Sequence, residues 1–161
     1  SLVRYGNVMS SRGSVIPEFK KQLKSGKKFK LTDPNMTRFN LTLEECIDTV
    51  MWSLKHTLGG EIVIKKSPSY RLIDLAKSIS TKNSIDVIGL RPGEKMHEEL
   101  ISNLEAQHTI DTKKFYIIVP HQSITTWKKN LFMKHFQINE NSEYENFGRN
   151  FFSSLFFSLI T

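Results

Sequence analysis

Residues 42–60 constrain the fold more than any other stretch of the chain. Thr42 and Glu45 have the Thr-x-x-Glu spacing of a capping box, in which each side chain serves the other residue's backbone N–H at a helix start. Leu43, Cys46, Ile47, Val50, Met51, Leu54 and Leu58 then recur at three- and four-residue steps, and Gly59-Gly60 closes the run. That is one apolar helical face, expected to be buried, with Cys46 as core filler rather than nucleophile. Alternating or short apolar runs at residues 2–8, 29–32, 61–64, 85–89 and 115–119 read as strands. A helix with Pro17 in its first turn runs to about residue 25, with Val15, Ile16, Phe19 and Leu23 on its apolar side and Gly26 at its end. Residues 70–80 form another amphipathic helix, and Asp33-Pro34-Asn35 is a turn. Strand and helix alternate, so the chain is α/β.

The chemistry concentrates at residues 88–98. Ile85, Val87 and Ile88 make a strand that Pro92-Gly93 stops. Residues 94–101 read as a helix, with Glu94, Glu98 and Glu99 early, where the helix dipole favours negative charge. Arg91 thus stands at a strand exit and Glu94 at a helix start. In open α/β sheets ligands bind at the carboxyl ends of strands. A guanidinium grips phosphate with two hydrogen bonds at once, and a carboxylate suits a sugar hydroxyl or ribose diol. The competing reading of the same residues is an Arg–Glu pair that staples a turn, worth ~0–1 kcal/mol.

A length of 161 residues is enough for one domain with a real core. The net charge of +7 invites nucleic acid, an acidic surface or a phosphorylated small molecule. The 23 Lys and Arg are scattered, with no arginine-rich helix, zinc-finger spacing or paired aromatic RNA motif, so no nucleic-acid partner is expected. Cys46 is the single cysteine, which rules out an intrachain disulfide and fits a cytoplasmic location. No apolar run reaches the ~18 residues of a membrane span. Ser1 falls inside a predicted strand and no initiator Met precedes it, so the chain is read as incomplete at its N-terminus. No His pair has metal-ligand spacing, and His97, near Glu94 and Glu98, reads as a helix-surface residue.

Two motifs of nicotinamide-dependent sugar-nucleotide enzymes are missing. No glycines form Gly-x-Gly-x-x-Gly, the phosphate-cradling turn. Tyr5, Tyr70, Tyr116 and Tyr144 are followed four residues on by Met9, Asp74, Pro120 and Gly148, never by the Lys that would lower a phenol's pKa for acid–base work. No catalytic residue is assigned.

Five segments occur together in order: Arg4-Tyr5-Gly6-Asn7-Val8, Ser11-Arg12-Gly13-Ser14-Val15-Ile16-Pro17, Thr32-Asp33-Pro34-Asn35-Met36-Thr37-Arg38-Phe39, Gly59-Gly60-Glu61-Ile62 and the 88–98 stretch. Over residues 2–120 the chain thereby resembles the C-terminal half of the inverting UDP-N-acetylglucosamine 4,6-dehydratases, extended short-chain dehydrogenase/reductases. The resemblance implies the substrate-binding subdomain of a Rossmann-type fold. It implies that Asn7 contacts the sugar, that Leu23, Lys30 and Thr32 line the nucleotide, that Arg91 holds the diphosphate and that Glu94 holds the ribose. The loop Val8, Met9, Ser10, Ser11 and Arg12 would run along the nicotinamide side of NADP. Arg38 either neutralises phosphate or pairs with Asp33, the second being preferred. The complete enzyme would be a homo-oligomer that oxidises the sugar at C4 with NADP, eliminates water across C5 and C6, and returns hydride with inversion at C5, toward pseudaminic acid or a surface polysaccharide. The half seen here would be inactive alone. It would be completed by a separately encoded N-terminal half, or it would be a decayed, non-enzymatic gene product.

Several positions depart from the family pattern: Ser10 where Gly is expected, Glu18 for Phe, Asn40 for a bulky aromatic, and Lys65-Lys66-Ser67 where a Pro-containing segment is usual. Residues 121–161 change character, with seven of the eleven Phe beyond residue 130. A helix docking on the missing half, a membrane-surface segment and a tail altered by frameshift or decay all compete there, the last being preferred.

Overall fold

The computed structural model describes residues 1–120, so the expectations for residues 121–161 lie outside the described residues. In chain order the elements are β1 (Leu2–Arg4), β2 (Asn7–Val8), α1 (Val15–Lys24), β3 (Phe29–Leu31), β4 (Thr37–Leu41), α2 (Leu43–His56), β5 (Ile62–Lys65), β6 (Ser69–Arg71), α3 (Leu72–Ile79), β7 (Ile85–Val87), α4 (Asn103–Ala106), β8 (Thr109–Asp111) and β9 (Phe115–Ile118). The α/β expectation holds, and the elements fall into two compact units.

The first unit takes Ser1–Tyr5, Ile47–Lys66 and, among the described residues, 100–120. Its sheet has the order β1-β5-β9-β8, with β1 parallel to β5 and β9 antiparallel to both β5 and β8. Side chains alternate across a strand, and here both faces are covered. Val63, Ile110, Phe115 and Ile117 cluster on one face, with Trp52 packed at 4.4 Å from the Phe115 ring. Ile64, Ile101, Ala106 and Ile118 cluster on the other. Arg4 donates to both Glu105 oxygens, at 2.8 and 3.0 Å, and to the Leu100 carbonyl. Glu61, 2% exposed, accepts the N–H groups of Leu58 and Gly59 that follow α2. Burial pushes its carboxyl up, but those donors, its own N–H and the Ser1 hydroxyl outweigh burial and hold it below its ordinary value.

The second unit takes Gly6–Cys46 and Ser67–Glu99. It contains a three-stranded arrangement β2-β4-β6 and the parallel pair β3-β7. Phe19 of α1, Phe29 and Leu31 of β3, Met36, and Leu72 and Ala76 of α3 form its core. The Asp33 turn is as expected, Asp33 accepting from Asn35 N–H at 2.7 Å.

Four expectations fail, each for a physical reason. Residues 2–8 are not one strand: the chain leaves β1 at Tyr5-Gly6 and re-enters pairing at Asn7, beside Asn40 of β4. Residues 94–101 form no helix. Thr37 donates its backbone N–H to the Met96 carbonyl, and Thr37 bridges His97, so the segment runs alongside β4. His97 is therefore no helix-surface residue; its Nδ1 lies 2.7 Å from the Thr37 hydroxyl. Third, Arg38 pairs not with Asp33 but with Glu94 and Glu98.

The fourth concerns α2. Its capping box forms as expected, Glu45 N–H donating to Thr42 and Thr42 N–H to Glu45. The apolar stripe is not buried: Leu43, Ile47, Val50, Met51, Leu54 and Leu58 are 39–74% exposed. The buried side chains of the helix are small or polar ones, Cys46, Thr49 and Ser53. Periodicity reports that a face is apolar; it does not report what covers it. Cys46 is buried as expected, and burial raises its thiol pKa.

Candidate functional site: a cleft at the strand ends of the second unit

A cleft of about 450 Å3 opens in the second unit, lined by residues of β2, α1, β3, β4, the β6–α3 junction and the loop after β7. Strand β3 builds one wall. Phe29 and Leu31 are fully buried while Lys30 between them is exposed, so the pleat turns Lys30 away from the core and into the cleft lining. Parallel pairing of Leu31 with Val87 carries the chain out of β7 beside Thr32, where Ile88 N–H donates to the Leu31 carbonyl at 2.7 Å. Thr32 is buried, its hydroxyl against the Met36 sulfur.

Beyond β7, Arg91 and Glu94 close a tight turn. Glu94 N–H donates to the Arg91 carbonyl at 3.0 Å, and Arg91 N–H donates to Glu94 Oε2 at 3.2 Å. The turn is thus stapled by backbone, not by an ion pair, and the Arg91 guanidinium has no partner among the described residues. Glu94 spends its other oxygen on Arg38, at 3.4 Å. Arg38, 11% exposed at its side chain, also donates to the carbonyls of Thr37 and Met96. These contacts fix the plane of the Arg38 fork from several sides. Lys30, Arg38 and Arg91 outnumber Glu18 and Glu94 among the charged lining residues, which favours an anionic occupant.

Of the residues expected to bind, Asn7, Val8, Met9, Ser10, Lys30, Thr32, Arg91 and Glu94 line this cleft. Ser11, Arg12 and Leu23 do not; all three are exposed, Leu23 by 40%. The helix position that faces the cleft is Gln22 instead. It is 7% exposed, its Oε1 accepts Lys30 N–H at 3.1 Å and its amide donates to Glu18. A polar residue three positions after Phe19, on an otherwise apolar helical face, was the signal that marked it. Tyr70 also lines the cleft; burial raises its phenol pKa, against the opposing Arg38 charge. Ser10 has φ 58°, a left-handed backbone that glycine adopts without strain.

A dinucleotide needs backbone N–H groups gathered under its diphosphate at a helix start. The chain has no glycine-rich turn to supply them, and the Val8-Met9-Ser10 loop offers only a flank. The residues present therefore do not by themselves fit a complete nicotinamide cofactor. Among the described residues no cluster of His, Cys, Asp or Glu is arranged to hold a metal, and no helix is long and apolar enough to cross a membrane.

Comparison with known proteins agrees with this architecture. Residues 1–120 match the family model described as polysaccharide biosynthesis protein. A Campylobacter jejuni protein named UDP-N-acetylglucosamine 4,6-dehydratase (inverting) is 42% identical over 120 residues, covering 74% of this chain and 36% of the relative. A Rickettsia rickettsii protein named UDP-glucose 4-epimerase is 43% identical over 121 residues, covering 73% of this chain and 36% of the relative. The chain thus spans about a third of the length of the curated relatives it matches. The solved structure of Pen from Bacillus thuringiensis superposes with a TM-score of 0.70 at 34% identity, over 82% of this chain and 48% of that one. A UDP-N-acetylglucosamine 4-epimerase from Methanobrevibacter ruminantium, 23% identical with a TM-score of 0.52 over 63% of this chain and 37% of that one, shares the fold.

Proposed function

As the chain belongs to the polysaccharide biosynthesis protein family, with nucleotide-sugar dehydratases and epimerases among its relatives, we propose that it forms the UDP-binding wall of an inverting UDP-N-acetylglucosamine 4,6-dehydratase. The observation that carries this reading is the Arg91 guanidinium, without a partner among the described residues, in a cleft that also holds Asn7, Lys30, Thr32 and Glu94. Arg91 grips the diphosphate with its planar fork. Glu94, already oriented by Arg38 and Arg91 N–H, retains lone pairs for the ribose hydroxyls. Main-chain groups around Lys30 and Thr32 meet the uracil, and Asn7 reaches the sugar from the start of β2. Val8, Met9 and Ser10 flank the nicotinamide ring, with Ser11 and Arg12 further along the loop.

NADP, when bound to the complete enzyme, supplies the hydride exchange at C4 of the sugar. The residues of this chain bind and orient the nucleotide; none is placed to move a proton at C5 or C6. With neither the glycine-rich turn nor a Tyr-x-x-x-Lys segment, the 161 residues alone are inactive as a dehydratase. Rickettsial relatives named UDP-glucose 4-epimerase favour a second reading in which the same wall serves an epimerase. Loss of water, seen as a 4-keto-6-deoxy product from the completed enzyme, separates the two.

Calorimetric titration of the chain with UDP and with uridine tests the binding role. UDP is expected to bind about tenfold or more tightly than uridine, the gain of a charge-assisted diphosphate contact. Equal affinity, or no binding of either, contradicts the reading.

A further inference from the structure

One polar side chain stands on the inward face of α1, in line with Val15 and Phe19 of the core. Gln22 is 7% exposed, its Oε1 accepts Lys30 N–H at 3.1 Å, and its Nε2 donates to Glu18 Oε1 at 3.0 Å. Chemistry fixes its orientation at both ends. A backbone N–H needs an acceptor opposite it, and a carboxylate needs a donor. Turning the amide over would set N–H against N–H and oxygen against oxygen, and both contacts would be lost.

What Gln22 holds is the edge of β3 turned toward the cleft. Pairing with β7 uses the main chain of the two buried residues. Phe29 N–H donates to the Ser84 carbonyl at 2.9 Å, and the Leu31 carbonyl accepts Ile88 N–H at 2.7 Å. A parallel ladder takes both groups of alternate residues, and a planar trans peptide points its C=O and N–H opposite ways. Lys30 N–H, Lys30 C=O and Thr32 N–H therefore lie together on the other edge. Gln22 takes the first. The remaining two have no partner among the described residues, and Gln22, Lys30 and Thr32 all line the cleft. The open edge thus reads acceptor, then donor. β3 has one neighbouring strand, so the Gln22 contact stands where a second strand's hydrogen bond would.

We propose that Gln22 is a positioning residue for the nucleobase. It ties β3 to α1 so that Lys30 C=O and Thr32 N–H meet a base offering a donor beside an acceptor, as uracil does at N3–H and O4. Glu18, by accepting the Gln22 amide, keeps Oε1 turned to the strand. The inference rests on the UDP reading and extends it to a residue that acts through the strand and not on the ligand.

The test is calorimetric titration of the full chain and its variants with uridine, 3-methyluridine and UDP. 3-Methyluridine, which lacks the N3 donor, is expected to bind about tenfold more weakly than uridine. Gln22→Glu sets two carboxylates side by side and is expected to weaken uridine and UDP by the same factor, about tenfold. Adding Glu18→Gln to it restores the relay with its ends exchanged, an amide donating to the carboxylate that accepts Lys30 N–H, and is expected to recover most of the loss. Gln22→Met, uncharged and of similar length, is expected to reproduce the loss without repulsion. Hydrogen exchange at the Lys30 amide, read without ligand, is expected to quicken in both single variants and to slow again in the double one. Uridine binding indifferent to Gln22→Glu and Gln22→Met, a loss that the double variant does not recover, or equal affinity for uridine and 3-methyluridine overturns the proposal. Each of these arises in a chain that does bind UDP, whereas a native chain that binds no UDP is the failure of the UDP reading itself.

Discussion

Glu94 accepts the backbone N–H of Arg91 at 3.2 Å, and the Arg91 guanidinium in the cleft lining has no partner among the described residues. A side-chain ion pair would have neutralised the group. The backbone contact instead shapes the turn while keeping the cation available for a phosphate.

Arg91→Ala is therefore expected to weaken UDP binding about tenfold or more, the ~1.5–3 kcal/mol of a hydrogen bond to a charged group, and to leave uridine binding unchanged. Parallel calorimetric titrations measure both. An equal loss for the two ligands would show that Arg91 serves the turn and not the diphosphate.

Gly6 sits where the chain passes from β1 to β2, and a Cβ built there would lie 2.7 Å from the Phe39 Cβ. Phe39 belongs to β4 and its Cβ is not the end of a flexible side chain. Gly6→Ala is expected to cost about 1–3 kcal/mol, as overpacking does. The shift of the urea unfolding midpoint, at unchanged slope, is the measurement.

Ser10 holds φ 58°, where an L side chain is strained by roughly 1–2 kcal/mol. Ser10→Gly is expected to relieve most of that strain, less the entropy glycine loses on folding, a net gain of about 0.5–1 kcal/mol. Urea unfolding reads the sign. A loss of stability would mean that the serine hydroxyl holds the loop.

The Arg4 hydrogen bonds hold the Glu105 carboxyl at about 2, against an ordinary 4.5, with the Ser102 donors adding to the effect and burial opposing it. Because the folded value is depressed, the contribution is complete above pH about 4.5 and is lost as pH falls through the folded value. The two side chains are 32% and 28% exposed, so solvent screening reduces the contribution to about 1 kcal/mol. The stability difference between the native chain and Glu105→Gln, followed by urea unfolding, is expected to shrink by roughly half that amount between about pH 6 and pH 3, the rest being lost only at lower pH as the folded carboxyl itself protonates. A constant difference would show that the carboxylate is not selectively stabilised in the fold.

What was legible in the sequence was what short-range chemistry decides. Thr42 and Glu45 announce the start of α2, and Asp33 its turn, because the partners lie within a few residues of each other. Ser102 and Glu105 carry the same box at the start of α4 and passed unread, although both reciprocal bonds form. Strands β4, β6 and β8 were missed because each is short and owes its pairing to a distant segment, as Arg38 does to Tyr70. The helix expected at residues 94–101 was lost to another distant partner: Arg38 claims Glu94 and Glu98, the carboxylates that were to stabilise its first turn. The cleft divides in the same way. Arg91 and Glu94 follow from the rule that ligands sit at strand ends, whereas Arg38 and Tyr70 reach the lining only through the pairing of separate elements, and Gln22 is marked only by its polar place on an apolar helical face. On α2 the pattern of apolar residues is legible and its burial is not, since a stripe does not say what, if anything, covers it.

The most direct measurement is the titration of UDP into the isotope-labelled chain, followed through the backbone amide signals of Lys30, Thr32, Arg91 and Glu94. Displacement of these signals on one saturable curve, abolished for the diphosphate but not the uridine component by Arg91→Ala, is expected if the cleft binds UDP. Signals that stay in place at saturating UDP, in the chain alone and in the completed enzyme, would overturn the UDP-binding role.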